Sequence, residues 1–246
     1  MCLALAATSV AAAGSHLSGG RKGGSVEQQN EDGDDRRQEI RASGLTAVFP
    51  RDAECPEISS PYASTTRYDG SRRNLDRFGG MHGGIDISLP EGTPLLAIAA
   101  GKVIHAGTGG MLTGHFLWLQ HAPDDRGLSF WVYSKYQHFR EVSDLPVGTA
   151  VKAGQRIATS GRSGTAGRHY GRNGYPHLHL TTYVGGGEKF ETRDTSVIVA
   201  GSKIADPLSI YARGDVKQVE IPYVTADGLI VPVGSRVAWP VACKRR

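Results

Sequence analysis

The residues with the most chemistry to offer are histidines, and four of the nine in this 246-residue chain fall in patterned positions. His82-Gly83-Gly84-Ile85-Asp86 sets an imidazole and a carboxylate at i and i+4, a spacing that puts both on one face of an extended strand. His177-Leu178-His179 repeats the logic at i and i+2 with Leu178 turned into the core, and Tyr136-Gln137-His138 ends a third strand in the same way. Each pattern alone is a weak signal, since a His-Asp pair is more often a hydrogen-bonded structural pair. Together, two imidazole nitrogens and one carboxylate make a three-ligand set of the kind that holds zinc and leaves a fourth position open to water.

The elements that must position these groups read as strands. Gly is abundant (33 residues), hydrophobics are 39% and aromatics 7%, a mix that suggests many short strands joined by tight turns. From about Phe78, short apolar runs at 84–87, 95–99, 102–105, 116–119 and 129–133 alternate with Gly and Pro turns, and all are too short for helices. Two segments resemble each other. Glu91-Gly92-Thr93-Pro94-Leu95 with Ala100-Gly101-Lys102-Val103 parallels Val147-Gly148-Thr149-Ala150-Val151 with Ala153-Gly154-Gln155-Arg156-Ile157. The pair suggests a folded-over sandwich or barrel with internal pseudosymmetry. Lipoyl- and biotinyl-carrying domains share that pattern, but their lysine hairpin is not evident here.

Residues 1–13 hold an apolar run ending in Ala11-Ala12-Ala13, which fits a signal-peptidase site and predicts export, although a positive n-region is missing. The run is too short for a membrane span, and no transmembrane segment is expected. Residues 14–45 are polar and mixed in charge and read as a linker or disordered arm; residues 46–77 form a lead-in with a short edge strand near its start. The principal domain is expected at 78–185, followed by a β-rich extension at 186–246. Beyond the leader the cysteines are Cys55 and Cys243, which an oxidising compartment would allow to pair. The formal charge of +4 is scattered, without the basic stripe and interleaved aromatics of a nucleic-acid interface, so no nucleic-acid partner is expected.

The segment from about Phe78 to Val184 resembles the lysostaphin-like (LytM-type, M23) zinc metallopeptidases, which cut peptide cross-bridges of bacterial peptidoglycan. The resemblance rests on His82-x-Gly84-Ile85-Asp86, Glu91-Gly92-Thr93-Pro94, Ala100-Gly101-Lys102-Val103 and Tyr136-Gln137-His138. It continues in the same order through Val147-Gly148, Val151-Lys152-x-Gly154-Gln155, Gly161-Arg162-Ser163-Gly164 and Pro176-His177-Leu178-His179, with Asp206-Pro207-Leu208 following. It implies a compact, mainly β, antiparallel sandwich or barrel of the duplicated M23 type. It also implies one zinc ion held by His82, Asp86 and His179, with His138 and His177 as the catalytic histidines beside it. The implied activity is hydrolysis of cross-bridge amide bonds by a metal-activated water, in the periplasm or outside the cell, with peptidoglycan as the partner. A non-catalytic wall-binding or amidase-activating module is the competing reading, and such relatives characteristically lose ligands that this chain retains. A peptidase acting on non-wall proteins is the third.

Two departures stand out. Residues 168–175 are an insertion before the His-Leu-His, and its Arg168, Tyr170 and Arg172 are candidate substrate contacts at the cleft rim. Leu180-Thr181 stands where Phe-Glu is more familiar. His105, His115 and His121 read as structural or surface groups, and His169 has no assigned place.

Overall fold

The computed structural model of the chain describes residues 39–75, 78–127, 129–165 and 174–246. The leader, most of the polar arm and the centre of the insertion lie outside these residues. Among the described residues, no helix is long and apolar enough to cross a membrane.

The chain is mainly β and antiparallel, and its largest sheet has eight strands. In spatial order seven of them are Ile58–Ser60, Ile85–Ser88, His177–Gly185, Val132–Gln137, His115–His121, Gly101–Thr108 and Ala150–Val151. His177–Gly185 is long enough to take two partners along one edge: Ile85–Ser88 pairs with its first half and Ser202–Ala205 with its second. The expected strand at 129–133 instead begins at Val132 and runs to Gln137, because Ser129 and Phe130 bend away as exposed residues.

The two similar segments pair crosswise. Pro94–Leu96 of the first lies against Arg156–Thr159 of the second. Gly101 and Lys102 of the first lie against Val151 and Ala150 of the second. Each repeat thus supplies the strand the other lacks, which is the physical content of the pseudosymmetry.

Side chains alternate between the two faces of the main sheet. On one face Ile85, Ile87, Leu117, Leu119, Tyr136, Leu178 and Leu180, all 0% exposed, join the main core. Opposite them, Ile104, Phe116, Trp118, Tyr133 and Tyr183 form a second cluster. That cluster is covered by the hairpin Glu191–Arg193 and Ser196–Ile198, which is pinned where Trp118 Nε1 donates to Thr195 O at 2.9 Å. The other end of the same face carries Asp86, His177 and His179.

The segments flanking the 78–185 region share its core. Thr46–Val48 pairs in parallel with Gln218–Glu220, and Ala53–Glu54 pairs with Lys244–Arg245. Trp239, fully buried, meets Phe49 edge-on at 5.3 Å and donates from Nε1 to Pro56 O at 2.9 Å. Docking begins before the arm boundary set at 45: Ile40 is 2% exposed, and Ser43 Oγ donates to Asp206. Asp206 in turn caps the short 3-10 turn Pro207–Ile210 by accepting from Leu208 N–H at 2.9 Å. Cys55 and Cys243 form a disulfide across a sequence separation of 188, joining the lead-in to the last strand.

Loss of this bridge frees both ends of a long loop in the unfolded chain, an effect on the order of 2–5 kcal/mol. Cys55→Ser/Cys243→Ser is therefore expected to unfold at clearly lower urea concentration than the parent protein. Matching midpoints, or two free thiols in denatured and unreduced parent protein, would contradict the bridge.

Candidate metal centre

The site begins with a register. His179 lies directly across from Asp86, and Leu178 and Leu180 lie across from Ile87 and Ile85. The apolar pairs face the core, so the polar pair must face the other way. Gly84 permits the approach, since a Cβ there would sit 2.3 Å from the Leu180 carbonyl oxygen. His179 Nδ1 consequently comes to 2.8 Å from Asp86 Oδ1.

His82 arrives by a different route from the one its spacing suggests. Four residues of extended strand span about 13 Å, far too long for both side chains to reach one atom. The strand in fact starts at Ile85, and the chain bends at Gly83-Gly84, bringing His82 Nε2 to 3.1 Å from Asp86 Oδ1 and 3.1 Å from His179 Nδ1. The donor atoms of His82, Asp86 and His179 all lie within 4.8 Å of one another.

His138 also departs from strand logic. Tyr136 faces the main core, and simple alternation would send His138 after it. Instead the strand ends at Gln137 and His138 takes a left-handed backbone, φ 70°, which is uncommon for a non-glycine residue. The turn swings its ring to the site, 4.6 Å from the His177 ring and 6.1 Å from the His179 ring, centroid to centroid. Its Nδ1 lies 2.8 Å from the Ser163 carbonyl. Ser163 is itself fixed, accepting from His115 N–H at 2.8 Å and donating to Phe139 O at 2.7 Å. Behind it Gly114 and Gly164 touch so closely that a Cβ on either would overlap the other loop's backbone.

His177 follows strand alternation and faces the same side as His179, with Nε2 3.8 Å from Asp86 Oδ1. Its Nδ1 lies 2.9 Å from the Tyr175 carbonyl, and the Tyr175 ring stacks on it at 4.2 Å and 13°. Tyr175 thus holds the imidazole from two sides. It closes the insertion, and nothing about its spacing in the sequence announces this contact. Arg168, Tyr170 and Arg172 lie outside the described residues. His169 does too.

Among the described residues, the three histidines outside the site, His105, His115 and His121, make structural contacts. His121, 0% exposed, bridges Ala100 O and Ser134 Oγ at 2.7 and 2.8 Å. His105 contacts Asp194 O and His115 contacts Thr108 Oγ1.

The electrostatics favour neutral imidazoles beside a charged carboxylate. Burial pushes the Asp86 carboxyl up, but His82 and His177 and the hydrogen bonds from His179 and His82 outweigh it and hold the group well below its usual 3.8. Burial lowers His179 from 6.5 to about 4. Burial also lowers His177, and burial together with the charges of His177 and His179 puts His138 well below the ordinary imidazole value.

The donor set fits a zinc ion. Three lone-pair atoms at 2.8–3.1 Å repel one another unless a proton or a cation sits among them. Bonds of about 2.0–2.1 Å in tetrahedral directions would space such ligands at about 3.3 Å. Each ligand is also held from behind: His82 Nδ1 by Pro61 O at 3.0 Å, His179 Nε2 by Thr181 Oγ1 at 2.9 Å, and Asp86 Oδ2 by Arg73 Nη2 at 3.4 Å. Thr181 thus fills the role of orienting His179 from the position where the sequence departs from the familiar pattern.

Comparison with known proteins gives the family. Residues 80–191 match the model of Peptidase family M23. The chain is 34% identical to lysostaphin of Staphylococcus simulans over 106 residues, 43% of this chain and 19% of that protein. It is 33% identical to the murein hydrolase activator NlpD of Escherichia coli over 106 residues, 42% of this chain and 26% of that one. The chain therefore spans about a quarter or less of these curated relatives. The solved structure of LytU is 30% identical, with 57% of this chain and 79% of that chain covered and a TM-score of 0.38. Through residues 80–191, the chain belongs to peptidase family M23.

Proposed function

We propose that this chain is a zinc-dependent endopeptidase that hydrolyses amide bonds in the cross-linking peptides of peptidoglycan. One observation carries the reading: beside the three convergent ligand atoms lie two further imidazoles, His138 and His177, each with Nδ1 against a backbone carbonyl. A domain that only binds the wall has no need of either.

His82 Nε2, Asp86 Oδ1 and His179 Nδ1 would hold the zinc. When bound, the ion supplies Lewis acidity, which activates water and polarises an amide carbonyl. The chain's own residues then manage protons. His177 Nδ1–H donates to the Tyr175 carbonyl, so Nε2 carries the lone pair and can accept a proton from the attacking water. Asp86, 3.8 Å away, stabilises the imidazolium that results. The proton then passes to the departing amine. His138, fixed through Ser163 and lying beside the His177 ring, is the second imidazole available to accept a proton on that face. Tyr175 keeps the His177 ring from rotating out of line. The expected export of the chain would bring this chemistry to the cell wall.

The two kinds of histidine should separate on mutation. His179→Ala is expected to lose stoichiometric zinc and activity together. His177→Ala is expected to keep zinc while turnover falls about 10²–10⁴-fold, the usual worth of a general base. Zinc loss from the second variant would overturn the ligand assignment.

Acid should weaken the metal-free protein. His179 takes up its proton near 6.5 when unfolded and near 4 when folded, so between these values the unfolded chain binds more protons. Stability is then complete above about pH 6.5 and falls as pH drops toward 4, with His138 and His177 acting in the same direction. Urea midpoints of chelated protein should follow this slope, and His179→Gln should flatten it. A parent slope no steeper than the variant's would contradict buried, neutral imidazoles.

The substrate is tested by digesting purified peptidoglycan of defined cross-link and weighing the released muropeptides. New amine termini within the cross-bridge are expected from the zinc-loaded protein. Intact peptidoglycan together with no bound zinc would align the chain with the murein hydrolase activators instead.

A further inference from the structure

The zinc ligands all lie within the family-matched residues 80–191, yet the groups that hold Asp86 and His82 from behind do not. Arg73 stands at the base of a small hairpin closed where Arg67 N–H donates to Ser71 O at 2.8 Å and Thr66 bridges Arg72. Its backbone N–H donates to Thr65 O at 3.0 Å and its Nε to Thr66 O at 3.2 Å, so the guanidinium is set in place before it meets the site. Its Nη2 donates to Ser60 Oγ at 2.8 Å and to Asp86 Oδ2 at 3.4 Å. Ser60 Oγ lies 3.4 Å from His82 Nδ1, and His82 Nε2 lies 3.1 Å from Asp86 Oδ1. The four residues therefore close a ring: Asp86, Arg73, Ser60, His82 and back to Asp86. The whole ring is shielded, with the Arg73 side chain 17% exposed, Asp86 5%, Ser60 2% and His82 2%.

We infer that Arg73, seated by Ser60, is a positioning residue of the metal centre: it caps the outer oxygen of Asp86 so that only the inner oxygen faces His82 and His179. This rests on the reading of His82, Asp86 and His179 as a zinc site. A carboxylate with both oxygens free can chelate one ion or rotate between ligand roles. With Oδ2 bound to a guanidinium it presents a single oxygen in a fixed direction. The planar fork matters here, because one nitrogen must serve both Ser60 and Asp86 while Nε holds the hairpin backbone. Arg73's charge lies nearest Oδ2, the carboxylate oxygen turned away from His82 and His179. A chain trimmed to residues 80–191 would keep all three ligands and lose this cap.

The test is zinc affinity, read by chelator competition on the full chain, with the thermal midpoint of the metal-free protein as the control for folding. The parent is expected to bind one zinc. Arg73→Met should bind it about 10–100-fold more weakly, the usual cost of losing a group that orients a ligand. Arg73→Lys, which can still place one donor on Oδ2, should recover part of that loss. Should Arg73→Met fail to fold, Ser60→Ala decides instead, since it removes the hydroxyl that seats Arg73 and is expected to weaken binding in the same direction. Affinity equal to or tighter than the parent's, in whichever of the two variants folds, overturns the inference and leaves the zinc site standing. A parent chain that binds no zinc overturns both.

Discussion

The contact on which the rest of the site depends is the antiparallel register that sets His179 against Asp86. Side chains alternate strictly along both strands, so a slip of one residue in either strand would turn its polar group into the core and its two apolar residues, Leu178 and Leu180 or Ile85 and Ile87, out of it. Those four are 0% exposed, and each contributes roughly 1.5–3 kcal/mol by leaving water. The register of the polar groups is therefore enforced by the apolar ones behind them. Gly84 then lets the two backbones close to a distance at which imidazole and carboxylate share one point.

Fold class, and which residues converge at the candidate site, were legible in the sequence for related reasons. Short apolar runs between Gly and Pro turns read as strands, and the two similar segments suggested internal pseudosymmetry, which the structure realises by pairing 94–96 with 156–159. The histidines were found by spacing, but the reason attached to the spacing held for one motif and failed for two. His177 and His179 do share a strand face. His82 needs the Gly83-Gly84 bend, and His138 needs a left-handed turn at φ 70° that alternation would never suggest. What carries information there is a glycine pair and a strand end, features that a period-of-two argument discards.

The supporting residues were less legible because their partners are remote in sequence. Arg73 and Asp86 are 13 apart, with the short turn Phe78–Gly80 between them, and Tyr175 touches His177 through a ring face and a carbonyl rather than a repeat. Division into lead-in, domain and extension likewise followed composition, which cannot show that Phe49, Trp239 and Tyr211 share a core with Leu178. The strand carrying Ser60 starts three residues after Cys55, whose bridge reaches the far end of the chain.

Among the imidazoles of the site, the outer nitrogens of His82, His138 and His177 each lie against a carbonyl, of Pro61, Ser163 and Tyr175, with Ser60 Oγ a longer second neighbour of His82 Nδ1 at 3.4 Å, whereas that of His179 lies against the Thr181 hydroxyl. A carbonyl only accepts, so it fixes the proton on the nitrogen it faces and leaves the opposite nitrogen bare. A hydroxyl does either. Without a cation, His179 satisfies the site by donating from Nδ1 to Asp86, and Thr181 donates to Nε2. With a cation at Nδ1, the proton sits on Nε2 and Thr181 accepts it. The ring that must change tautomer is the one whose partner can change role, and a carboxylate at position 181 would favour only the second state. Three rings are thus held in one form while the fourth moves a proton between its own two nitrogens.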